Sequence, residues 1–170
     1  TPLADAERAA RLATTNESAV ALLAPLAQQA GPPDQALTLV RREVGQSPSS
    51  IDLRKLLVSL YVATGQLDPA EAQMVALVAL RPRDLPLRLG LANLYLKAGN
   101  AAAAQRTLET AVEVFPDDDD AKLALVDFLA VSRSPAAGRK VLLGFLARRQ
   151  DDDGLRFGLG MLDERAGATA

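Results

Sequence analysis

Two runs of aspartate have the clearest capacity for chemistry in this sequence. One spans 117–120 and the other 151–153, so they begin 34 residues apart. Hard cations such as Ca²⁺ bind clustered carboxylate oxygens, but neither run has the spaced ligands, central glycine and distal glutamate of an EF-hand loop. Acidic residues also cap helix N-termini, where they accept backbone hydrogen bonds and face the positive end of the helix dipole. We therefore predict helix caps and no metal site.

The amino-acid inventory restricts catalysis. Cys and His are both absent from the 170 residues, which excludes disulfides, thiolate nucleophiles and the usual zinc ligands. The absence of His also removes the side chain that most often transfers protons near neutral pH. Asp, Glu, Lys and Ser remain available, but they form no recognisable catalytic constellation. We predict that the chain is not an enzyme and needs no cofactor.

The charge balance argues against nucleic acid as a partner. The chain has 19 basic and 21 acidic residues, a net charge of -2, whereas nucleic-acid binding usually requires a strongly basic face. One segment is locally basic through Arg139, Lys140, Arg148 and Arg149. A surface for nucleic acid or anionic lipid is one interpretation, and we favour a solvated outer helix face. No apolar run approaches the roughly 18–20 residues that span a bilayer, so direct membrane insertion is not expected.

The elements that must position these residues recur with a period of 34. The segments LVSLYVATGQ (57–66) and LANLYLKAGN (91–100) share leucines, a Leu-Tyr pair and a glycine at the same offsets. Three further series of residues recur with this period. They are glycines (Gly31, Gly65, Gly99 and, at a multiple of 34, Gly167), prolines (Pro48, Pro82, Pro116), and small residues (Ala36, Ala70, Ala104, Gly138). Self-similarity at a fixed period of this length is typical of a repeat array.

Each period has the pattern of two helices. In residues 51–84 the first helix carries apolar residues at helical spacing, namely Leu53, Leu56, Leu57, Leu60 and Tyr61. Gly65 supplies a residue that can adopt a left-handed conformation at the helix end. Asp68, Pro69 and Glu71 would begin the second helix as N-cap, first-turn proline and capping-box acid. That helix would present Ala70, Met74, Leu77 and Val78 on one face and end before Pro82.

This pattern resembles the tetratricopeptide repeat (TPR) family. Residues 85–118 match its signature at Leu91, Tyr95, Gly99, Ala104, Leu108, Ala111 and Pro116. The resemblance implies an all-α fold, an α-solenoid of stacked antiparallel helix pairs. The predicted divisions are an N-terminal helix (1–16), a TPR-like repeat (17–50), two TPR repeats (51–84, 85–118), a degenerate repeat (119–152) and a C-terminal helix (153–170). Each terminal helix is either half of a further repeat or a cap. Pro25 would bend or divide the first helix of its repeat.

In TPR proteins the first helices line a concave groove, so the resemblance assigns rows of side chains to that surface. One row contains Lys55, Leu89, Leu123 and Phe157; the next contains Ser59, Asn93, Asp127 and Met161; a third contains Val62, Leu96, Ala130 and Glu164, with Lys97 beside Leu96. Such a surface suits an extended peptide or a partner helix with Leu- or Phe-like side chains. Asn93 is the leading single candidate, because an amide both donates and accepts hydrogen bonds. Tyr61 and Tyr95 are expected in the core.

We therefore expect a non-catalytic scaffold for protein–protein interaction within a multiprotein assembly. The resemblance suggests a bacterial envelope, export or secretion machine, and the missing thiols favour the periplasm over the cytoplasm. Thr1 is consistent with a processed or engineered start. The terminal helices are either natural caps or the ends of an excerpt from a longer array, and the apolar residues Phe157, Met161 and Leu162 favour the excerpt. Two alternatives remain: self-association through the apolar C-terminal end, where Phe157 and Met161 motivate it, or delivery of substrates to a catalytic domain of a larger enzyme.

Overall fold

A computed structural model describes residues 33–149 and 151–168 of the chain. Within these residues every regular element is an α-helix, and adjacent helices pack as pairs, which confirms the predicted all-α fold. The helices are α1 (Pro33–Gln46), α2 (Ile51–Ala63), α3 (Leu67–Leu80), α4 (Leu85–Lys97), α5 (Ala101–Val114), α6 (Asp119–Ser132), α7 (Pro135–Leu146) and α8 (Asp153–Ala168). The helix predicted over residues 1–16 and the bend predicted at Pro25 lie outside the described residues. No described helix has the length and apolar character needed to cross a membrane.

The chain divides into two compact units, Thr1–Pro82 and Arg83–Ala170. In the first unit, α2 packs against both α1 and α3. In the second unit, α4 pairs with α5 and α6 pairs with α7, while α5 also contacts α6. Helix α8 packs against α7 and α6. The second unit therefore contains two complete helix pairs followed by one further helix.

Side-chain caps begin most of the helices. The carboxylates of Asp84 and Asp118 accept hydrogen bonds of 3.1 Å from the backbone N–H three residues later, and so does the amide oxygen of Asn100. The hydroxyls of Ser50 and Ser134 accept from the corresponding N–H groups at 3.4 and 3.1 Å. Each cap satisfies one of the N–H groups that a helix N-terminus leaves without an intrahelical partner. The capping role predicted for the first aspartate run is confirmed at Asp118.

The predicted start of α3 is wrong. Asp68 is not the N-cap; it lies in the first turn of a helix that begins at Leu67, and the N-cap is Gln66, whose side chain makes no capping hydrogen bond. The start is set by the preceding turn, in which the N–H of Gln66 donates to the carbonyl of Tyr61 at 2.8 Å. Asp68 therefore acts through its charge at the helix N-terminus. Pro69 is tolerated there because the first-turn N–H groups have no intrahelical acceptor.

Two glycines end first helices with left-handed backbone. Gly65 has φ 72° and Gly99 has φ 76°, a region that residues with a Cβ seldom adopt. After Gly99, the N–H of Asn100 donates to the Tyr95 carbonyl at 2.8 Å, as Gln66 does to Tyr61. The last glycine of the series, Gly167, does not follow the end of a helix in this way, because it lies inside α8. The predicted stop at Gly167 falls within one residue of the end of that helix.

The core follows the same period. Ala70 and Ala104 are fully buried, as small residues must be where two helices approach closely. Gly138 is the buried equivalent in α7, and a Cβ there would lie 2.7 Å from the carbonyl oxygen of Val126 in α6. Tyr61 is buried, and Tyr95 is half-buried against the apolar cluster of the second unit. Both tyrosines therefore contribute to packing, as predicted.

Candidate functional site

A concave feature of the second unit lies between α4 and α6, the first helices of its two pairs. We call it the α4–α6 cleft; its volume is about 390 Å³. Its lining comprises Leu89, Asn93, Leu96, Leu108, Ala124, Asp127, Phe128, Val131 and Ser132. Eight of these nine residues belong to α4 or α6, and Leu108 comes from α5. First helices of neighbouring pairs therefore form the walls.

Helical spacing explains why these side chains share the cleft. Leu89, Asn93 and Leu96 lie at intervals of four and three residues along α4, so they project from one face. On α6, Ala124 and Ser132 are the first and last of five lining residues spaced by three, one, three and one residues. The two faces oppose each other because α5 packs between them as the second helix of the pair.

The cleft has an apolar floor and an exposed apolar rim. Leu108 and Phe128 are buried at its base and belong to one hydrophobic cluster. Leu96 is 42% exposed and Val131 is 88% exposed at the rim. Isolated exposed apolar residues are ordinary on protein surfaces, whereas apolar groups around a concave site favour ligand binding. The polar groups Asn93 and Asp127 lie among them; the Asn93 amide can donate or accept hydrogen bonds with a ligand, and the Asp127 carboxylate can accept them.

Four of the residues predicted for the groove line this cleft together: Leu89, Asn93, Leu96 and Asp127. The other predicted residues of the second unit lie elsewhere. Lys97 is exposed at the end of α4. Leu123 is half-buried and packs towards α8, where its side chain contacts the position of Gly158. Phe157 and Met161 project from α8 with 72% and 38% of their surface exposed.

The three predicted groove residues of the first unit lie on α2. Lys55 and Ser59 are exposed and Val62 is half-buried. The Ser59 hydroxyl donates to the Lys55 carbonyl at 3.1 Å, so its proton is already engaged within the helix. Their role in binding stays a prediction.

Val131 is the most exposed apolar residue of the cleft and was missing from the predicted rows. The signal was present in the sequence, because Val131 lies 34 residues after Lys97, which the prediction did include. Arg165 follows after another 34 residues, so the three form a further row. The predicted rows missed four further lining residues, because they took one residue per helical turn and left out the base of the cleft. These residues are Ser132, Phe128, Ala124 and Leu108.

Asp127 is the one ionisable side chain among the described residues that line the cleft. Its Oδ1 atom lies 3.4 Å from the Nη1 atom of Arg165, which donates to it from α8. Both side chains are highly exposed, at 60% and 63%. An exposed ion pair with this long a separation contributes little to stability, since water screens it. The carboxylate therefore remains accessible to a competing cation.

The second aspartate run lies where α6 and α8 begin. The carboxylate of Asp152 accepts a hydrogen bond of 3.1 Å from the N–H of Leu155 and so caps α8. Asp152 is only 7% exposed, and its Oδ2 atom accepts no hydrogen bond but lies 3.5 Å from Nε of Arg149. The Leu155 N–H holds the pKa of Asp152 below its ordinary value; Asp119, Arg149 and Lys122 act in the same direction, and burial opposes them. Capping is thus confirmed for this run too.

The same junction holds a buried lysine. Lys122 is 3% exposed, and its Nζ atom donates to Oδ1 of Asp119 at 3.2 Å. Burial of a charge is tolerated only when a partner of opposite charge is close, which Asp119 provides. Across residues 33–149 and 151–168, no group of three or more acidic side chains has an arrangement that could hold a metal ion. The charged side chains at this junction therefore contribute to the contact between the helices that meet there.

The locally basic segment is partly neutralised by acids. Arg139 donates from Nε to Oδ1 of Asp163 at 2.9 Å, which ties α7 to α8. Arg149 pairs with Asp152 and lies 3.8 Å from Asp117. This pairing leaves less unbalanced positive charge than the sequence alone indicates. Lys140 and Arg148 of the same segment are exposed.

Comparison with protein families places the fold. Residues 74–126 match the tetratricopeptide repeat family model, and this match spans α4 and α5 together with parts of α3 and α6. Over these residues the chain is similar to tetratricopeptide repeats. A search of curated proteins gives no match.

Solved structures of TPR proteins are similar in fold to this chain. A tetratricopeptide repeat protein from Parabacteroides merdae matches with a TM-score of 0.60 and 19% identity, over 97% of this chain and 67% of that one. YrrB, described as a TPR protein with an unusual peptide-binding site, matches with a TM-score of 0.54 and 14% identity, over 87% of this chain and 76% of that one. Identities this low establish similarity of fold alone.

A third similar structure belongs to a larger protein. The O-GlcNAc transferase of Thermobaculum terrenum matches with a TM-score of 0.52 and 25% identity. The match covers 80% of this chain but only 27% of the transferase. A similar fold thus occurs in small proteins and also as one part of an enzyme polypeptide. TPR repeats generally form surfaces for protein–protein interaction.

Proposed function

We propose that this chain is a non-catalytic scaffold whose α4–α6 cleft binds an extended peptide or a helix of a partner protein. The observation that carries the proposal is the apolar rim around an apolar floor. Val131 and Leu96 remain exposed beside a cleft of about 390 Å³, a volume within the range of ligand sites in proteins, about 300–1,000 Å³. One or two bulky side chains of a partner would fill it, and Asn93 would hydrogen-bond the partner backbone.

The remaining predicted groove residues extend this proposal. Phe157 and Met161 on α8 lie 34 residues after Leu123 and Asp127, so they would contact a partner that continues past the cleft. Lys97, Lys55, Ser59 and Val62 would contribute outside it. An assembly of the bacterial envelope, export or secretion type, with a periplasmic location, is the setting that we propose. The absence of Cys and His is compatible with it and supports the non-catalytic assignment.

A selection from random peptides tests the proposal and does not require the natural partner. Random 12-residue peptides displayed on phage are selected on the full chain, and enriched peptides are synthesised with blocked termini. Fluorescence anisotropy then gives Kd for the wild type and for Val131→Asp, which buries a charge against the bound peptide. We expect Val131→Asp to weaken binding at least tenfold. Equal affinity for both proteins would place binding outside the cleft and refute the proposal.

Leu143→Asp is the matched control. Leu143 is 40% exposed on α7, away from the cleft, and the substitution adds the same charge to an exposed apolar position of the same unit. Its Kd should equal that of the wild type. A comparable loss in Leu143→Asp would attribute the effect of Val131→Asp to net charge or to damaged folding, and the cleft would lose its support.

Two alternative functions lead to different measurements. Self-association is favoured by the exposed Phe157. Light scattering would establish it if the mass of the wild type rises with concentration and the mass of Phe157→Ser stays that of the monomer. Substrate delivery within a larger enzyme is favoured by the similarity to one part of the transferase. A full-length reading frame that contains a catalytic domain would support that alternative.

A further inference from the structure

We propose that the partner segment carries a Lys or Arg next to its apolar anchor, the side chain that fills the α4–α6 cleft. Until the partner binds, Arg165 occupies the position of this cation beside Asp127. This inference rests on the proposed function and specifies the chemistry of the ligand. It follows from the charge at the cleft and from the contact that now neutralises it. Three observations carry it in turn.

The cleft lining is apolar except for one charge. Among its described residues Asp127 alone is ionisable, and Asn93 and Ser132 are neutral. A partner that covers Asp127 must remove water from the carboxylate, which is unfavourable unless a cation replaces the water. An apolar peptide without a basic residue would bring no cation of its own to this carboxylate. Charge complementarity therefore selects a basic partner.

The position of Asp127 sets the spacing within the partner. Asp127 lies one helical turn from Val131 on α6, both on the cleft face. A partner side chain that packs on Val131 thus has the carboxylate within about 6 Å along the helix, since one turn rises about 5.4 Å. A helical partner meets this geometry with a Lys or Arg three or four residues from its Leu, Ile or Phe anchor. An extended partner meets it two residues away, on the same side of the strand.

The chain already supplies a cation to Asp127. Arg165 reaches across from α8 and places Nη1 3.4 Å from Oδ1 of Asp127, with both side chains more than half exposed. Such a pair exchanges readily, because exposed ion pairs are weak and screened. A basic side chain of the partner would displace Arg165 and regain the same interaction in a drier site, where it is stronger. Arg165 therefore competes with the partner and lowers its apparent affinity.

The test uses the peptides selected on the full chain, each paired with a version in which Lys and Arg are replaced by Gln. We expect the selected peptides to be enriched in Lys or Arg beside an aliphatic or aromatic residue. Wild type should bind the basic peptide at least fivefold more tightly than its Gln version. Asp127→Asn should remove that preference, and Arg165→Ala should tighten binding of the basic peptide about twofold to fivefold, the range for an exposed ion pair.

Two controls carry the same change in net charge. Arg156→Ala removes an arginine of α8 that pairs with Asp151 and Asp153 instead, and Asp163→Asn removes an acid that pairs with Arg139. Neither should alter the preference for basic peptides. The inference is overturned if Arg156→Ala tightens binding as much as Arg165→Ala, or if Asp127→Asn keeps the preference.

The outcomes separate this inference from the proposed function. Peptides that lose affinity for Val131→Asp but show no charge preference would leave the binding cleft standing and refute the role of Asp127 and Arg165. Selected peptides that are neutral or acidic would refute it in the same way. If no peptide is enriched, or if all bind Val131→Asp unchanged, the cleft itself is refuted, and this inference with it.

Discussion

Replacing Gly138 with alanine should destabilise the second unit, although alanine is the better helix former. Gly138 lies inside α7 at its closest approach to α6. A Cβ at this position would lie 2.7 Å from the carbonyl oxygen of Val126 and 2.8 Å from Cβ of Ala130. Neither neighbour is the end of a flexible side chain. The contact can therefore be relieved only by separating the two helices.

The magnitude follows from two opposing effects. Alanine in place of glycine within a helix stabilises it by about 0.5–1 kcal/mol, because the unfolded chain has less backbone freedom to lose. Forcing an extra methyl group into a close-packed contact costs about 1–3 kcal/mol. The packing cost exceeds the gain. We expect Gly138→Ala to lower the free energy of unfolding by about 0.5–2 kcal/mol.

Gly144 in the same helix provides the matched control. A Cβ at Gly144 would meet nothing within 4 Å, so Gly144→Ala retains only the gain in helix propensity. This variant should be more stable than the wild type by up to about 1 kcal/mol. Urea unfolding followed by far-UV circular dichroism measures both variants. If Gly138→Ala is as stable as Gly144→Ala, the close approach of α7 to α6 does not limit the volume of residue 138, and the reasoning fails.

Two further predictions concern the second unit. Leu142→Ala should lower the free energy of unfolding by about 2–5 kcal/mol, because Leu142 is fully buried and its loss leaves a cavity. Leu143→Ala, on the exposed side of the same helix, should change the free energy of unfolding by less than about 0.5 kcal/mol in urea titrations. Similar losses in both variants would contradict the assigned burial. Asp152→Asn keeps a capping oxygen but removes the charge, so it should destabilise the chain at pH 7. Because folding lowers the pKa of Asp152 beneath its ordinary 3.8, the contribution of the charge is present above pH 3.8 and disappears as the pH falls through the lower folded value. A difference in stability between Asp152→Asn and wild type that is unchanged at pH 3 and below would contradict this assignment.

Much of the fold could be predicted from the sequence because its signals are local. The turns at Gly65 and Gly99 require backbone conformations that glycine adopts at least cost, and the structure has positive φ at both. The aspartates at 118 and 152 cap helices because their oxygens reach an N–H only three residues away. The start of α3 was predicted wrongly at Asp68 for a related reason. A hydrogen bond from Gln66 back to Tyr61 sets that start, and a motif search that looks only forward does not detect it.

The candidate site could be predicted only in part. Counting in steps of 34 brings Leu89, Asn93 and Asp127 onto cleft-facing positions, and the structure places all three on one lining. The same counting predicts that Leu123 also faces the groove, yet its side chain packs towards α8. Which member of a row is covered by the next helix depends on the angle between the helices. That angle comes from the packed side chains and not from the period.

The sequence by itself determined the period, the helix pairs, the capped starts and the positions that must hold small residues, since each depends on interactions within a few residues of the chain. Tertiary structure alone decided which side chains meet across helices. Asp127 and Arg165 are 38 residues apart, and their contact exists only because α8 packs against α6. Gly138 is likewise one more small residue in the sequence. The distance from its backbone to Val126 shows that nothing larger than glycine fits there without moving a helix.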